Sequence, residues 1–327
     1  MTLPPIEDIV ALVSRTDSVS LPAEAAARLA ILTIDLEGDA IVGLDADGEP
    51  LGPLAQDPTR KSDLAVSRDG RRVAYVRRFE RPVRRYDVVT MARDGSDKRI
   101  LTLKHPDVAE TELASRRGEG RSAWRYSNLS FSPDGGWIYL HATEPSRREG
   151  LFRLSADGGV LESVAESKRL ERGAARFRSP RLSNDGKSFV IARSGKEHVG
   201  EGEAIVLISL ADMSERIVYR TVTGGVYPLA IAPDDGSILC LEDERGEDDR
   251  LVLVPLASTV EGEGARTVVT GKNVVGSFSP DGKTIVYSAV RGDGEDLFLV
   301  PTEGGEPRRL TRGTGRRREP LWLPPVR

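Results

Sequence analysis

The sequence predicts an all-β chain: a six-bladed β-propeller with four antiparallel strands per blade, closed by joining its N- and C-terminal strands in one blade. Three observations carry this expectation. A short phrase recurs five times, as Val66-Ser67-Arg68-Asp69-Gly70, Phe131-Ser132-Pro133-Asp134-Gly135, Leu182-Ser183-Asn184-Asp185-Gly186, Ile231-Ala232-Pro233-Asp234-Asp235-Gly236 and Phe278-Ser279-Pro280-Asp281-Gly282, at intervals of 46 to 65 residues. A period of this size marks one supersecondary unit copied along the chain. Apolar residues alternate beside each phrase, and the two chain ends each read as part of a blade that the other completes.

Each phrase reads as a strand, a tight turn and a second strand. Pro presets φ at a turn position, and Asp-Gly supplies a side-chain hydrogen bond and a residue with φ > 0. Apolar residues stand three positions past each Gly (Val73, Ile138, Phe189, Leu239, Ile285) and five past it (Tyr75, Leu140, Ile191, Leu241, Tyr287). That period-2 pattern puts one strand face in a core. The extra Asp in blade four predicts a turn one residue longer. Third strands are expected at 86–90, 151–154, 204–210, 251–255 and 297–301. Polar turns such as Ala92-Arg93-Asp94-Gly95 and Glu303-Gly304-Gly305 lead to a short fourth strand such as 308–311. Four antiparallel strands in a unit of 40–50 residues make a propeller blade.

The sixth blade comes from the ends. Residues 319–324 look like an innermost strand cut off before its turn. Residues 41–51 parallel 152–161, with 29–34 as the strand before them. A ring joined this way leaves no open edge and ties down both termini.

These residues resemble the WD40-like repeats called PD40, found in TolB-like six-bladed propellers. Phe278-Ser279-Pro280-Asp281-Gly282-Lys283 through Ile285-Val286-Tyr287, then Asp296-Leu297-Phe298-Leu299-Val300 and Arg309-Leu310-Thr311, fit that repeat. The resemblance covers about residues 29–327 and implies the fold. TolB has an additional N-terminal α/β domain and a secretion signal, whereas about 28 residues precede the first strand here, so its export and partners do not carry over. Propeller-bearing serine peptidases also have a hydrolase domain that this sequence lacks.

The chain divides into an N-terminal extension, 1–28, with a short amphipathic helix over Ile6, Ile9, Val10 and Val13, and the propeller, 29–327. The 327 residues, 39% hydrophobic and 30% charged with a net charge of −4, suit a soluble protein and leave nucleic acid neither favoured nor excluded as a partner. Cys240 is the only cysteine, so no internal disulfide forms and a buried thiol is expected. No apolar run is long enough to span a membrane. The N-terminus lacks a basic region and carries acids where a signal peptide would be apolar. A cytoplasmic monomer is the expectation, or a periplasmic or secreted one if an upstream signal has been removed.

Little in the sequence points to catalysis. His105, His141 and His198 fall in or beside three different blades, which argues against a histidine-rich metal site. No Gly-x-Ser-x-Gly elbow occurs. Asp45-Ala46-Asp47-Gly48 lacks the downstream bidentate Glu of a calcium loop. Glu242-Asp243-Glu244 with Glu247-Asp248-Asp249 is read as a solvated acidic loop between the second and third strands. No cofactor, metal or catalytic residue is assigned.

The uneven feature is arginine. In this fold, the loops joining strands two and three open on one face together with the loops between blades. Arg84 and Arg85 fall there, as do Arg125 with Trp124 and Tyr126 beside it, Arg176 and Arg178, and Arg317. The face is expected to be basic over blades six, one and two, and acidic over four and five. Guanidinium groups pair with carboxylates and phosphates and stack on aromatics, so these eight residues are the candidate binding surface. The plainer reading is a solvated rim neutralised by neighbours such as Glu119 and Glu171. The expected function is a non-catalytic scaffold that binds another protein, an acidic segment or an anionic ligand. The alternatives are a hydrolase or lyase acting in the central pocket, or a nucleic-acid or anion-binding module.

Overall fold

A computed structural model describes residues 19–80, 85–101, 103–104, 124–143, 149–166, 178–194, 202–244, 248–292, 294–312 and 315–326. The predicted helix over Ile6–Val13 lies outside them. A short helix, Ala23–Arg28, leads into the first strand.

Six antiparallel four-stranded sheets form the blades. Blade one runs Arg60–Val66, Arg72–Phe79, Arg85–Ala92, Arg99–Ile100, and blade two Arg125–Phe131, Trp137–Thr143, Glu149–Ser155, Glu162–Glu166. Blade three runs Arg178–Leu182, Ser188–Ser194, Glu203–Ser209, Glu215–Thr221, and blade four Gly224–Ile231, Ser237–Glu244, Asp249–Pro255, Arg266–Gly271. Blade five runs Val275–Phe278, Thr284–Arg291, Gly294–Pro301, Arg308–Arg309. Blade six takes its inner strand, Arg317–Trp322, from the C-terminus and the rest, Ile31–Asp35, Ala40–Leu44 and Pro50–Gln56, from the N-terminal region. Ile31 pairs with Trp322 and Leu32 with Leu321, as the closure requires. The inner strands contact one another in the order six, one, two, three, four, five and back to six.

The recurring phrase is a hydrogen-bonded device. In blades one, two, three and five the Ser hydroxyl donates to the Asp two residues on. The same oxygen accepts the backbone N–H five residues on, at 2.9–3.0 Å. The Ser bond holds the Asp134, Asp185 and Asp281 carboxyls below their ordinary range. Successive hairpins also touch. A side chain at Gly186, where φ is +73°, would meet the Pro133 ring of the preceding blade at 2.8 Å, so the close approach requires glycine there. The Asn184 N–H instead donates to Asp235 of the next blade at 2.7 Å.

Blade four corrects the expectation of a longer turn. Asp235, at φ 58°, takes the left-handed position that Gly holds elsewhere, and its N–H donates to Ala232 O as the glycines' do to serine. Ile231 pairs with Ile238 in the same register as Val66 with Val73. Asp tolerates this conformation better than most residues. The core lies between blades. Ile138, Leu140 and Ala142 pack toward blade one, whereas Leu151 packs with Phe189 and Ile191 of blade three. Cys240 is fully buried there, and burial pushes its thiol pKa up.

Candidate functional site: the loop face and the channel it opens on

The inner strands start at the end opposite the Asp-Gly hairpins. Arg60 pairs with Arg78, Arg125 with Thr143 and Arg317 with Asp35, all at the loop end of their sheets. Arg60, Arg125 and Arg317 therefore head the inner strands of three consecutive blades: one, two and six. Arg60 and Arg125 are exposed and Arg317 half-buried. None of the three has a carboxylate within ion-pair distance among the described residues. Arg60 was not singled out from sequence. The available signal was its position, six residues before Val66, as Arg125 stands before Phe131.

The other candidates are placed differently. Arg84 and Arg176 lie outside the described residues. Arg85 pairs with Asp87 at 2.8 Å and stacks over Phe79, 4.5 Å from its centroid. Arg178 pairs with Glu203 at 2.7 Å. Trp124 and Tyr126 are only 7% and 8% exposed and join the core between blades one and two, with Trp124 edge-on to Phe152. They brace the blade rather than offer contact area beside the arginines.

The acidic side also differs from expectation. Glu242, Asp243 and Glu244 end a strand, and Asp249 begins the next. Glu242 is buried, accepts from the Tyr219 hydroxyl at 2.8 Å and pairs with Arg250 at 3.0 Å. Glu295 is buried between Arg318, at 2.6 Å, and Arg316, at 3.8 Å, and Asp296 pairs with Arg309. Much of the predicted negative charge is thus internal. Asp249 keeps a raised pKa, first from burial and then from Asp243 and Asp248.

Below the mouth, five of the six inner strands carry a register shift. At four of them a non-glycine residue stands at positive φ: Asp63, Asn128, Ser179 and Glu319. Such bulges re-aim side chains and store strain. The strain is offset by bonds between blades. The Asp63 N–H donates to Glu319 Oε2 at 2.9 Å, and the Asn128 N–H donates to Asp63 Oδ1 at 2.6 Å. Arg181 reaches across to Leu229 O of blade four at 2.6 Å. Burial, reinforced by the Asp63 charge, raises the Glu319 carboxyl to about 7, and Arg181 offsets part of this. A carboxyl at that value can exchange a proton near neutrality. Its Oε2 is already an inter-blade acceptor, however.

One further cluster escaped the sequence. Ser127, His141 and Glu149 sit on adjacent strands of blade two, with Ser127 Oγ 3.4 Å from His141 Nδ1 and His141 Nε2 3.9 Å from Glu149 Oε2. Burial lowers the His141 pKa to about 4, too weak a base at neutral pH to activate a serine. The folded protein keeps His141 neutral while the unfolded chain protonates near 6.5. Its contribution to stability is therefore complete above pH 6.5 and is lost as pH falls toward 4. Between pH 7 and pH 5 this should remove about 2 kcal/mol, at about 1.4 kcal/mol per pH unit. Urea melts of His141→Gln should lack that part of the slope. An unchanged pH dependence would refute it.

No protein-family model and no curated protein matches the sequence. Solved structures do match the fold. TolB from Acinetobacter baumannii superimposes with a TM-score of 0.67 at 17% identity, over 93% of this chain and 68% of that one. A putative TolB from Agrobacterium tumefaciens gives 0.57 at 13%, over 91% and 99%. The fold is that of the TolB-like six-bladed propeller. A chain of the nidogen/laminin complex also matches, with a TM-score of 0.60 at 9% identity over 90% and 98%. An oligogalacturonate lyase in complex with manganese gives 0.50 at 13%, over 91% and 74%. The TolB-like ring is thus similar both to a propeller from a protein–protein complex and to one from an enzyme. Among the described residues, no group of three or more His, Cys, Asp or Glu side chains is arranged to hold a metal ion, and no helix is long and apolar enough to cross a membrane.

Proposed function

We propose that this propeller is a non-catalytic binding module that takes an acidic segment of another protein at the mouth of its channel, on the loop face. The observation that carries this is the collar of Arg60, Arg125 and Arg317. These arginines head three consecutive inner strands with no carboxylate partner among the described residues, while Arg85, Arg178 and Arg318 are paired within the fold. An arginine with no carboxylate partner can form paired hydrogen bonds with a guest carboxylate. The enzyme reading is weaker because the channel carboxylates Asp63 and Glu319 serve as acceptors between blades. The nidogen/laminin match supports the use of such a ring in protein binding.

The test is a titration with a glutamate-rich peptide, comparing wild type with Arg60→Glu/Arg125→Glu/Arg317→Glu. Binding should weaken by on the order of 1–3 kcal/mol in the variant, the scale of a few charged interface contacts. Wild-type affinity should fall as salt rises, since exposed charges are screened beyond about 8 Å at physiological ionic strength. The fold should be retained, because Arg60 and Arg125 are exposed, where substitutions shift stability by about 0.5 kcal/mol or less each, and Arg317 stands at the first position of its strand. Equal affinity and equal salt response in the two proteins would reduce the collar to a solvated rim. Tighter binding of a single-stranded oligonucleotide of matched charge would point to nucleic acid instead.

A further inference from the structure

We propose that the cleft between blades four and five binds a small organic carboxylate with an apolar body. The cleft is open to solvent at the loop end, away from the arginine collar, and has a volume of about 230 Å³. That is below the roughly 300–1,000 Å³ of drug-sized sites, so its guest is small. Val269 and Ala289 supply apolar wall, and Lys272, Arg291 and Asp248 stand at its edge. The floor includes Tyr287, only 1% exposed and stacked on Phe298 with ring centroids 5.5 Å apart.

Three features point to a ligand. Tyr287 lines the cleft, and its hydroxyl has no hydrogen-bond partner among the described residues. Arg291 lies over the Phe298 ring, 5.6 Å from its centroid, and its charge acts on the Tyr287 phenol. Neither Arg291 nor Lys272, both exposed, has a carboxylate partner among the described residues. A guest carboxylate would accept from the Tyr287 hydroxyl and from Arg291 or Lys272, with its apolar part against Val269 and Ala289. Asp248 at the rim disfavours a second negative charge, so a monoanion fits better than a phosphate.

Benzoate and inorganic phosphate are the probes, titrated calorimetrically into the full chain. Benzoate should bind saturably with a millimolar Kd. Tyr287→Phe, which keeps the ring and its packing, and Arg291→Gln, at an exposed position, should each weaken binding about ten-fold. That is the loss expected when a hydrogen bond to a charged group goes. Phosphate should bind at least about ten-fold more weakly, because it gains nothing from the apolar wall. Absence of saturable benzoate binding, equal affinity in Tyr287→Phe with an unchanged melting temperature, or phosphate binding as tightly as benzoate would each overturn the proposal. The arginine collar is untouched by these variants, so this outcome is independent of the peptide titration.

Discussion

Deletion of residues 318–327 should abolish cooperative unfolding. The segment supplies most of the inner strand of blade six. Removing it strips Ile31 and Leu32 of their partners, Trp322 and Leu321, and exposes an unpaired strand edge. It also cuts the blade's ties to both neighbours. Toward blade five, the Ser277 hydroxyl loses Pro320 O as its acceptor at 2.9 Å, and buried Glu295 loses Arg318. Toward blade one, the Asp63 N–H loses Glu319, and Arg93 loses Pro324 O at 2.6 Å. Glu295 keeps only Arg316 at 3.8 Å, and weakening the pairing of a buried charge costs up to about 3–5 kcal/mol against a typical domain stability of about 5–15 kcal/mol. Near-ultraviolet circular dichroism during urea unfolding should show a broad or absent transition. A truncated chain with the midpoint and slope of the full one would refute closure through the ends.

The repeat, its hairpins and the closure are legible because each rests on short-range signals. Pro-Asp-Gly marks the turns, alternation marks the strands, and the unmatched half-blades at the two ends call for one another. The failures have a common cause in contacts between blades. Trp124 and Tyr126 look like surface aromatics among arginines until blade one is packed against blade two. Glu242 and Glu295 look like surface acids until Arg250 and Arg318 are brought beside them from other strands. The blade-four turn is deceptive in sequence because Gly236 aligns with the other glycines, whereas Asp235 holds the left-handed position. The channel bulges leave less trace: each shifts the alternation by one residue, but the inner strands are short and mostly half-buried, so the shift does not stand out. Asp63 and Asn128 are residue types that tolerate left-handed backbone, but they are far commoner in ordinary turns. Arg60 draws no attention in sequence because it lies just ahead of the first recurring phrase and outside the dense arginine runs.

Arg77→Met should destabilise the protein more than any reversal on the loop-face rim. Arg77 sits at a core-lining position of blade one, 2% exposed, with Asp87 at 2.9 Å and Asp57 at 3.7 Å. Its guanidinium also lies 4.9 Å from the Phe79 ring centroid. Lys61, likewise buried, holds Asp57 from the other side at 2.9 Å. The hydrogen bonds from Thr59 and Lys61 outweigh burial and keep the Asp57 carboxyl below its ordinary value. The cluster thus sets Arg77, Lys61 and Arg85 against Asp57 and Asp87 inside the sheet, and methionine fills the volume without supplying the charge. Asp87 would remain 9% exposed with only the half-exposed Arg85 to balance it. Breaking one side of a buried pair costs about 3–5 kcal/mol, because the penalty is that of the charge left behind. The double variant Arg77→Met/Asp87→Asn should recover a substantial part of that loss, since replacing both members of a buried pair is often close to neutral. Arg77→Lys, which keeps the charge but not the fork, should fall between wild type and Arg77→Met. Guanidinium-chloride unfolding of the four proteins measures all three differences. A loss under about 1 kcal/mol for Arg77→Met, the scale of an exposed ion pair, would show that water reaches the cluster and that the arginine is not an internal counter-ion.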